Sequence, residues 1–182
     1  MAYNLTNTSD RSRAVDAVDV LNDLIGDFVT GVMVLHEYSK QHRENKLRLE
    51  LMVPIQKMCL SHLVLAFAKF EEFWKHYHDL VPTEHRDACK SILKSISNRK
   101  ISEFRNRCVG HIWDKVNQRP LAHSEVMSAL AGITAPDFAA FLNWVNNPVA
   151  KLPPASVASI VESVRDSLML AYSIHPQEIV NR

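Results

Sequence analysis

The sequence predicts an all-α fold, a helical bundle of four or more helices in which two long N-terminal helices are followed by shorter ones. Three observations predict it. Apolar residues recur at spacings of three and four across two long stretches, a period near 3.5 that suits helices and not strands. Only four glycines occur among 182 residues, with few hairpin signals beside them. The eight prolines fall mostly where helices would start or stop.

The elements follow in order. A first long helix places Ala14, Val18, Leu21, Ile25, Phe28, Val32 and Leu35 on one stripe, with Asp16, Asp19, Asp23 and Asp27 on the opposite face. Ser9 or Asp10 can cap it, and an acidic first turn suits the helix dipole. The polar run SKQHRENK breaks or bends the pattern. A second long helix places Met52, Ile55, Cys59, His62, Ala66, Phe70, Phe73 and Tyr77 in the same way. Pro82 ends it, and Thr83 caps a third helix from about Glu84 to Ser97, with Ala88, Ile92, Leu93 and Ile96 inward. After a weak break at SNRK, another helix is expected from about Ile101 to Val116, stopped by NQRP. SEVMSALAGI reads as a short helix closed by Gly132. TAPD, where Thr134 and Asp137 resemble a capping box, opens the next, which carries Phe138, Phe141, Leu142 and Trp144. NNPVAKLPP reads as a loop. A last helix aligns Val157, Val161, Val164, Leu168 and Ala171 and ends near IHP. No internal repeat divides the chain, so one domain is expected over residues 1–182, with 1–9 as a flexible tail.

Composition excludes several classes of function. With 47% hydrophobic and 23% charged residues, the chain has the balance of an ordinary globular core. A net charge of +1 gives no global field that demands nucleic acid or a membrane. The local balance is uneven. Between Arg86 and Arg119, Lys and Arg outnumber Asp87, Glu103 and Asp114 three to one, whereas the stretch before Glu37 is acidic. Cys59, Cys89 and Cys108 are odd in number and lack paired spacing. With the polar N-terminus, they point to a reducing, cytoplasmic setting. The most apolar segment, LMVPIQKMCLSHLVLAFAKF, is interrupted by Pro54, Lys57, His62 and Lys69 and is expected not to span a bilayer.

Chemistry concentrates in FRNRCVGHIWDK, residues 104–115. Arg105 and His111 have the form Arg-x5-His, with Asn106 after the arginine and Gly110 before the histidine. Spacing alone carries no weight, because about 1.6 Arg-x4-6-His matches arise by chance in such a chain. The context adds to it: a small polar amide, a glycine that lets a substrate approach the backbone, and a position after two long helices of a bundle.

On these residues the chain resembles the HEPN superfamily of all-α bundles. Many of its members are metal-independent ribonucleases with an Arg, polar residue, short run, His signature. The resemblance implies an endoribonuclease that needs no metal and no cofactor, acts on RNA as a homodimer, and serves as a toxin of a toxin–antitoxin or phage-defence system. An antitoxin or regulatory protein is then a possible partner. His111 would be the catalytic proton-transfer residue, Arg105 the catalytic phosphate-stabilising residue and Asn106 an orienting one, with Arg107 and Lys115 binding substrate. Trp113 stands where members paired with a minimal nucleotidyltransferase antitoxin carry tyrosine, so tyrosine modification is not implied here. The chemistry is sound. Imidazole, with a pKa near 6.5, can move protons to or from a ribose 2′-hydroxyl or a leaving oxygen. Guanidinium donates to two phosphate oxygens at once.

Helical geometry raises an objection. On a straight helix, Arg105 and His111 point about 120° apart and lie about 9 Å apart along the axis, whereas Arg107 and His111 share a face. Arg105 can sit in a non-helical entry, Arg107 can do part of the work, or two chains can face their motifs across a two-fold axis. The last is favoured. Other candidates weigh less. His36, Glu37 and His42, or His76 and His78, lack the spacing of a helical metal pair, and no metal is expected. Cys108 has no visible third partner as a nucleophile. The aspartate stripe reads as a solvated face. Phe67, Phe70, Phe73, Trp74 and Tyr77 read as core or interface rather than stacking platforms. Asn143 and Trp144 can stand at the mouth of a cleft. The alternative from another class is a non-catalytic helical module that binds RNA, a nucleotide or a protein partner through the same basic patch.

Overall fold

A computed structural model of the chain describes residues 8–109, 113–114, 118–147 and 156–180. Helix α1 (Thr8–Arg43) is continuous over 36 residues, about 54 Å. Asp10 stands in its first turn and Lys40, His42 and Arg43 in its last, matching the positive and negative ends of the helix dipole. The turn that ends it places Asn45 in the left-handed region, with φ 57°, a conformation asparagine tolerates. Helix α2 (Leu49–Tyr77) returns antiparallel, as the pairings Asp27 to Lys69 and Arg13 to Asp79 require. Pro54 lies within α2 and does not divide it. By length and composition α2 is long and apolar enough to cross a membrane, a test that the core helix of a bundle also meets. Its inner face is occupied here by core packing: Leu60, Leu63, Phe67, Phe70 and Phe73 are all buried.

Helix α3 (Thr83–Asn98) follows a turn held by Arg86, which donates to the Val81 and Asp79 carbonyls. Thr83 does not cap it. Pro82 holds the cap position and Thr83 is already helical. Next come the single-turn α4 (Ile101–Phe104) and a π turn (Arg105–Val109), with hydrogen bonds one residue wider than an α-helix. Strands β1 (Trp113–Asp114) and β2 (Arg119–Pro120) then pair antiparallel. The continuous helix expected over 101–116 is therefore absent. The chain leaves α geometry at Arg105 and is extended by Trp113.

Helix α5 (His123–Thr134) runs through Gly132, which does not close it. Thr134 is its last residue and bonds back to the Leu130 and Ala131 carbonyls. Asp137 alone caps α6 (Phe138–Val145), accepting from the Ala139 and Ala140 amides. Helix α7 (Val157–Ala171) buries Val157, Val161, Val164 and Leu168 as expected, while Ala171 is exposed. Helix α8 (Pro176–Val180) follows the turn after it.

The core forms where α2 and α7 both lie along α1. Phe28, Phe67, Phe70 and Phe73 fill it, together with Leu21, Leu24 and Leu35. Cys59 and Cys89 are core residues, and burial pushes the Cys89 thiol up to about 11, which keeps it protonated. Arg11 reaches from the first turns of α1 to both carboxylate oxygens of Glu178 in α8 (3.0 and 2.9 Å) and to the Ser173 carbonyl (3.2 Å). His62 is half-exposed at the seam of α1 and α2 rather than inside it, and shares Asp27 with Lys69. Asp27 is thus paired with α2, not left on a solvated face.

Where α1 and α2 cross, Gly31 allows the close approach. A Cβ added there would stand 2.7 Å from Leu63 Cδ2 and 3.0 Å from its Cγ. Leu63 is 1% exposed and must repack to make room. Gly31→Val is expected to cost about 1–3 kcal/mol in urea unfolding, since overpacking a filled core forces side chains off their rotamers.

Candidate functional site

The basic segment is anchored by Ile101 and Phe104, both buried, which seat the single turn of α4 against α2 and α5. With those two inward, the residues that follow are set on the surface. Arg105 is half-buried, and Asn106 and Arg107 are exposed. His111, Gly110 and Lys115 lie outside the described residues, so the structure places three of the five expected site residues. The straight-helix objection loses its premise, because Arg105 begins a π turn.

The three described residues do not point to one place. Arg105 faces α2, with its guanidinium 3.9 Å from Glu72 Oε1. That separation is an ion pair without a hydrogen bond, and both groups are substantially exposed, so water screens it and a phosphate can displace it. Arg107 faces the other way, toward α5. It lines a cavity of about 340 Å³ and is close enough to Glu125 to help hold that carboxyl down. Asn106, between them in sequence, is exposed. Ser102 of α4 donates to Glu71, fixing the neighbouring acidic position of α2.

Four contributors escaped the sequence. Arg99, at the end of α3, donates to the Ile133 and Ala135 carbonyls (2.6 and 2.9 Å) and lies 5.3 Å from the Phe141 ring centre and 5.2 Å from that of Trp144. It closes the end of α5 onto α3 and α6 by hydrogen bonds and cation–π contact. Burial lowers its pKa but leaves a guanidinium charged. Trp144 therefore faces inward, stacked 5.1 Å from Phe67, and does not open a cleft, whereas Asn143 is exposed. Lys100 follows Arg99 at φ 56°, a left-handed position after a helix end that usually holds glycine. Its ammonium has no ion pair among the described residues.

Arg119 and Glu125 are the other two. They form a bidentate pair with two contacts of 2.8 Å, and Glu125 also accepts from the Ala122 amide at the start of α5. Together these ties fix strand β2 to α5. The Arg119 guanidinium first, and the Ala122 N–H second, hold the Glu125 carboxyl at about 2, against an ordinary 4.5. Because the folded value is depressed, this tie is present in full above about pH 4.5 and is lost as pH falls through 2. A carboxyl-carbon NMR titration is expected to find that low midpoint in the native chain and a return toward 4.5 in Arg119→Ala. The local signal for this tie was a Glu three residues into a helix, the reach-back position for an open N-terminal amide.

The chemical resources of the surface are thus an arginine lightly held by Glu72, an exposed amide beside it, and a second arginine on a cavity edged by Lys100. Among the described residues, no group of three or more His, Cys, Asp or Glu is placed to hold a metal ion.

No family model and no curated protein matches the chain. Among solved structures it is similar to the integron cassette protein Vpc_cass2 from the mobile metagenome of V. paracholerae. The two are 24% identical with a TM-score of 0.68, over 90% of this chain and 98% of that one. At that identity the likeness is one of fold alone.

Proposed function

We propose that the chain is a HEPN-type endoribonuclease that cleaves RNA without a metal, with His111 and Arg105 at the reacting phosphate. One observation supports it most: Arg105 and Asn106 are presented at the surface on a π turn, with Arg105 held only by a long, screened ion pair to Glu72. π turns frequently accompany functional sites. In this reading the ribose 2′-oxygen attacks phosphorus and the 5′-oxygen leaves, giving a 2′,3′-cyclic phosphate and a 5′-hydroxyl. His111 moves the proton, Arg105 stabilises charge on the phosphate oxygens and Asn106 orients them. A two-fold homodimer would supply a second histidine to the same cleft. A toxin–antitoxin or phage-defence system is the proposed setting.

The test compares wild type, Arg105→Ala and His111→Ala on one RNA with EDTA present, reading end chemistry, with solution mass measured alongside. Cyclic phosphate ends that depend on both residues support the reading. Equal cleavage by His111→Ala overturns it, and a monomeric active enzyme overturns the shared cleft. A second reading, a non-catalytic module that holds RNA or a partner, is favoured by the Glu72 pairing, which partly neutralises Arg105 at rest. Salt-sensitive RNA binding without cleavage would identify it.

A further inference from the structure

A separate cavity, of about 330 Å³, opens on the outer seam of the long helix pair and is lined by residues of α1 and α2. Its floor is apolar. Phe73 is buried, Val20 and Tyr77 are half-buried, and the Phe73 and Tyr77 rings stand 5.6 Å apart. Its rim carries two exposed carboxylates, Asp23 from α1 and Glu72 from α2, with the His76 imidazole beside them. Lys69 also lines the cavity, but its ammonium is held by Asp27 at 2.8 Å. The volume falls at the lower end of the range for small-ligand pockets, about 300–1,000 Å³.

The charge of this cavity is unbalanced. Among the described residues Asp23 has no ion pair or hydrogen bond, and Glu72 has only its 3.9 Å contact with Arg105. Asp16 and Asp19 continue the same acidic face of α1, while its Arg11 and Arg13 are committed to Glu178 and Asp79. A chain of net charge +1 therefore presents a negative mouth here, opposite in sign to the segment around Arg105. These features define a ligand. It has a compact apolar body that lies on an aromatic face, and an ammonium or guanidinium end held by one carboxylate from each helix.

We propose that this cavity binds an organic cation, a primary amine or a guanidinium, between Asp23 and Glu72. The cation is a free amine or the lysine or arginine side chain of a protein partner, and the site chemistry is the same for both. Glu72 links the cavity to Arg105. A cation that takes the Glu72 carboxylate leaves Arg105 without its ion pair, so occupancy frees that arginine. Binding does not rest on the ribonuclease reading. Only its consequence for RNA does.

The test uses the full chain. Asp23→Asn and Glu72→Gln keep side-chain shape at exposed positions, and melting temperatures within a few degrees of wild type qualify both. Carboxyl-carbon and aromatic NMR signals are followed with agmatine, n-butylamine and the tripeptide acetyl-Ala-Arg-Ala-amide, with sodium chloride holding ionic strength constant. n-Butanol is the neutral control. Wild type is expected to bind at least one cationic probe, shifting Asp23, Glu72 and Tyr77 together and leaving Asp16 and Asp19 in place. Each single variant is expected to bind about fivefold or more weakly, with a shallower salt dependence. The Arg105 side-chain N–H signal is expected to move as wild type fills, toward its position in Glu72→Gln. Tighter binding of the tripeptide than of agmatine identifies a protein side chain, and the reverse identifies a free amine. Either supports the cavity as a cation site.

Absence of shifts at Asp23, Glu72 and Tyr77 with every cationic probe overturns the proposal, as does n-butanol binding as tightly as n-butylamine. Equal shifts at Asp16, Asp19 and Asp23 identify diffuse counterion attraction and overturn it too. An Arg105 signal that stays in place as the cavity fills removes the link to that arginine. The ribonuclease reading fails separately. A wild type that binds a cation but never cleaves RNA leaves the cavity standing. A chain that cleaves RNA and binds no cationic probe leaves only the ribonuclease.

Discussion

Cleavage of RNA is expected to fall about 10²–10⁴-fold when His111 is replaced by alanine, the loss that follows removal of a positioned proton-transfer group. The measurement is single-turnover cleavage of one labelled RNA with EDTA, and circular dichroism confirms that the variant is folded. Arg105 separates the chemistry from charge alone. Arg105→Ala is expected to lose activity on the same scale. Arg105→Lys is expected to recover little of it, because an ammonium cannot donate in parallel to two phosphate oxygens. Glu72→Gln removes the carboxylate 3.9 Å from Arg105 and is expected to tighten RNA binding by about two- to fivefold, since the ion pair it breaks is an exposed one. Full recovery by Arg105→Lys would leave only a local positive charge as the contribution of that residue. Unchanged cleavage by His111→Ala would remove the ribonuclease reading.

The second large effect concerns stability. Phe67→Ala is expected to cost about 3–5 kcal/mol, a large share of the ~5–15 kcal/mol that holds a domain folded. Phe67 is fully buried, 4.9 Å from the Phe28 ring and stacked 5.1 Å from Trp144. Alanine therefore leaves a cavity where α1, α2 and α6 meet. Urea unfolding measures it, and the melting temperature is expected to drop by roughly 6–20 °C. The loss should also reach the basic segment. Trp144 lies under Arg99, and Arg99 carries the end of α3 onto α5. Phe67→Leu keeps most of the volume and is expected to cost less than half as much. If both variants melt alike, the ring contacts with Phe28 and Trp144, and not the filled volume, carry the loss.

The long elements were legible because their apolar stripes extend over many turns. The first and second helices and the last long one repeat every three or four residues for so long that no local exception could hide them. The third, expected over 84–97, runs from Thr83 to Asn98. Ambiguity entered where two residues could do one job. Thr134 and Asp137 can both cap, and Thr134 spends its hydroxyl on α5 instead. His62 lies on the stripe by spacing, yet its partner Asp27 belongs to another helix and holds it at the seam.

The site was less legible. Arg105 through Val109 contain no residue that forbids an α-helix, so nothing local distinguishes an i−4 from an i−5 hydrogen bond. The departure is set by tertiary packing, as Ile101 and Phe104 sink into the bundle. Strands of two residues are too short to leave an alternation, so Trp113 and Asp114 read as helix. Lys100 could not be singled out either, because only its backbone angle makes it unusual.

The contact of Arg11 with Glu178 and Ser173 joins elements more than 160 residues apart in the chain. In polymer terms it closes a loop of more than 160 residues, and loop entropy grows only slowly with length, about 0.6 kcal/mol per doubling. The order of events is affected more than the final stability. Helices α1 and α2 can meet across a five-residue turn, whereas α7 and α8 can lie along α1 only after the more than one hundred residues between them have been made. The basic segment belongs to the middle of the chain. Its anchoring residues therefore meet α2 on a bundle whose last wall has yet to arrive.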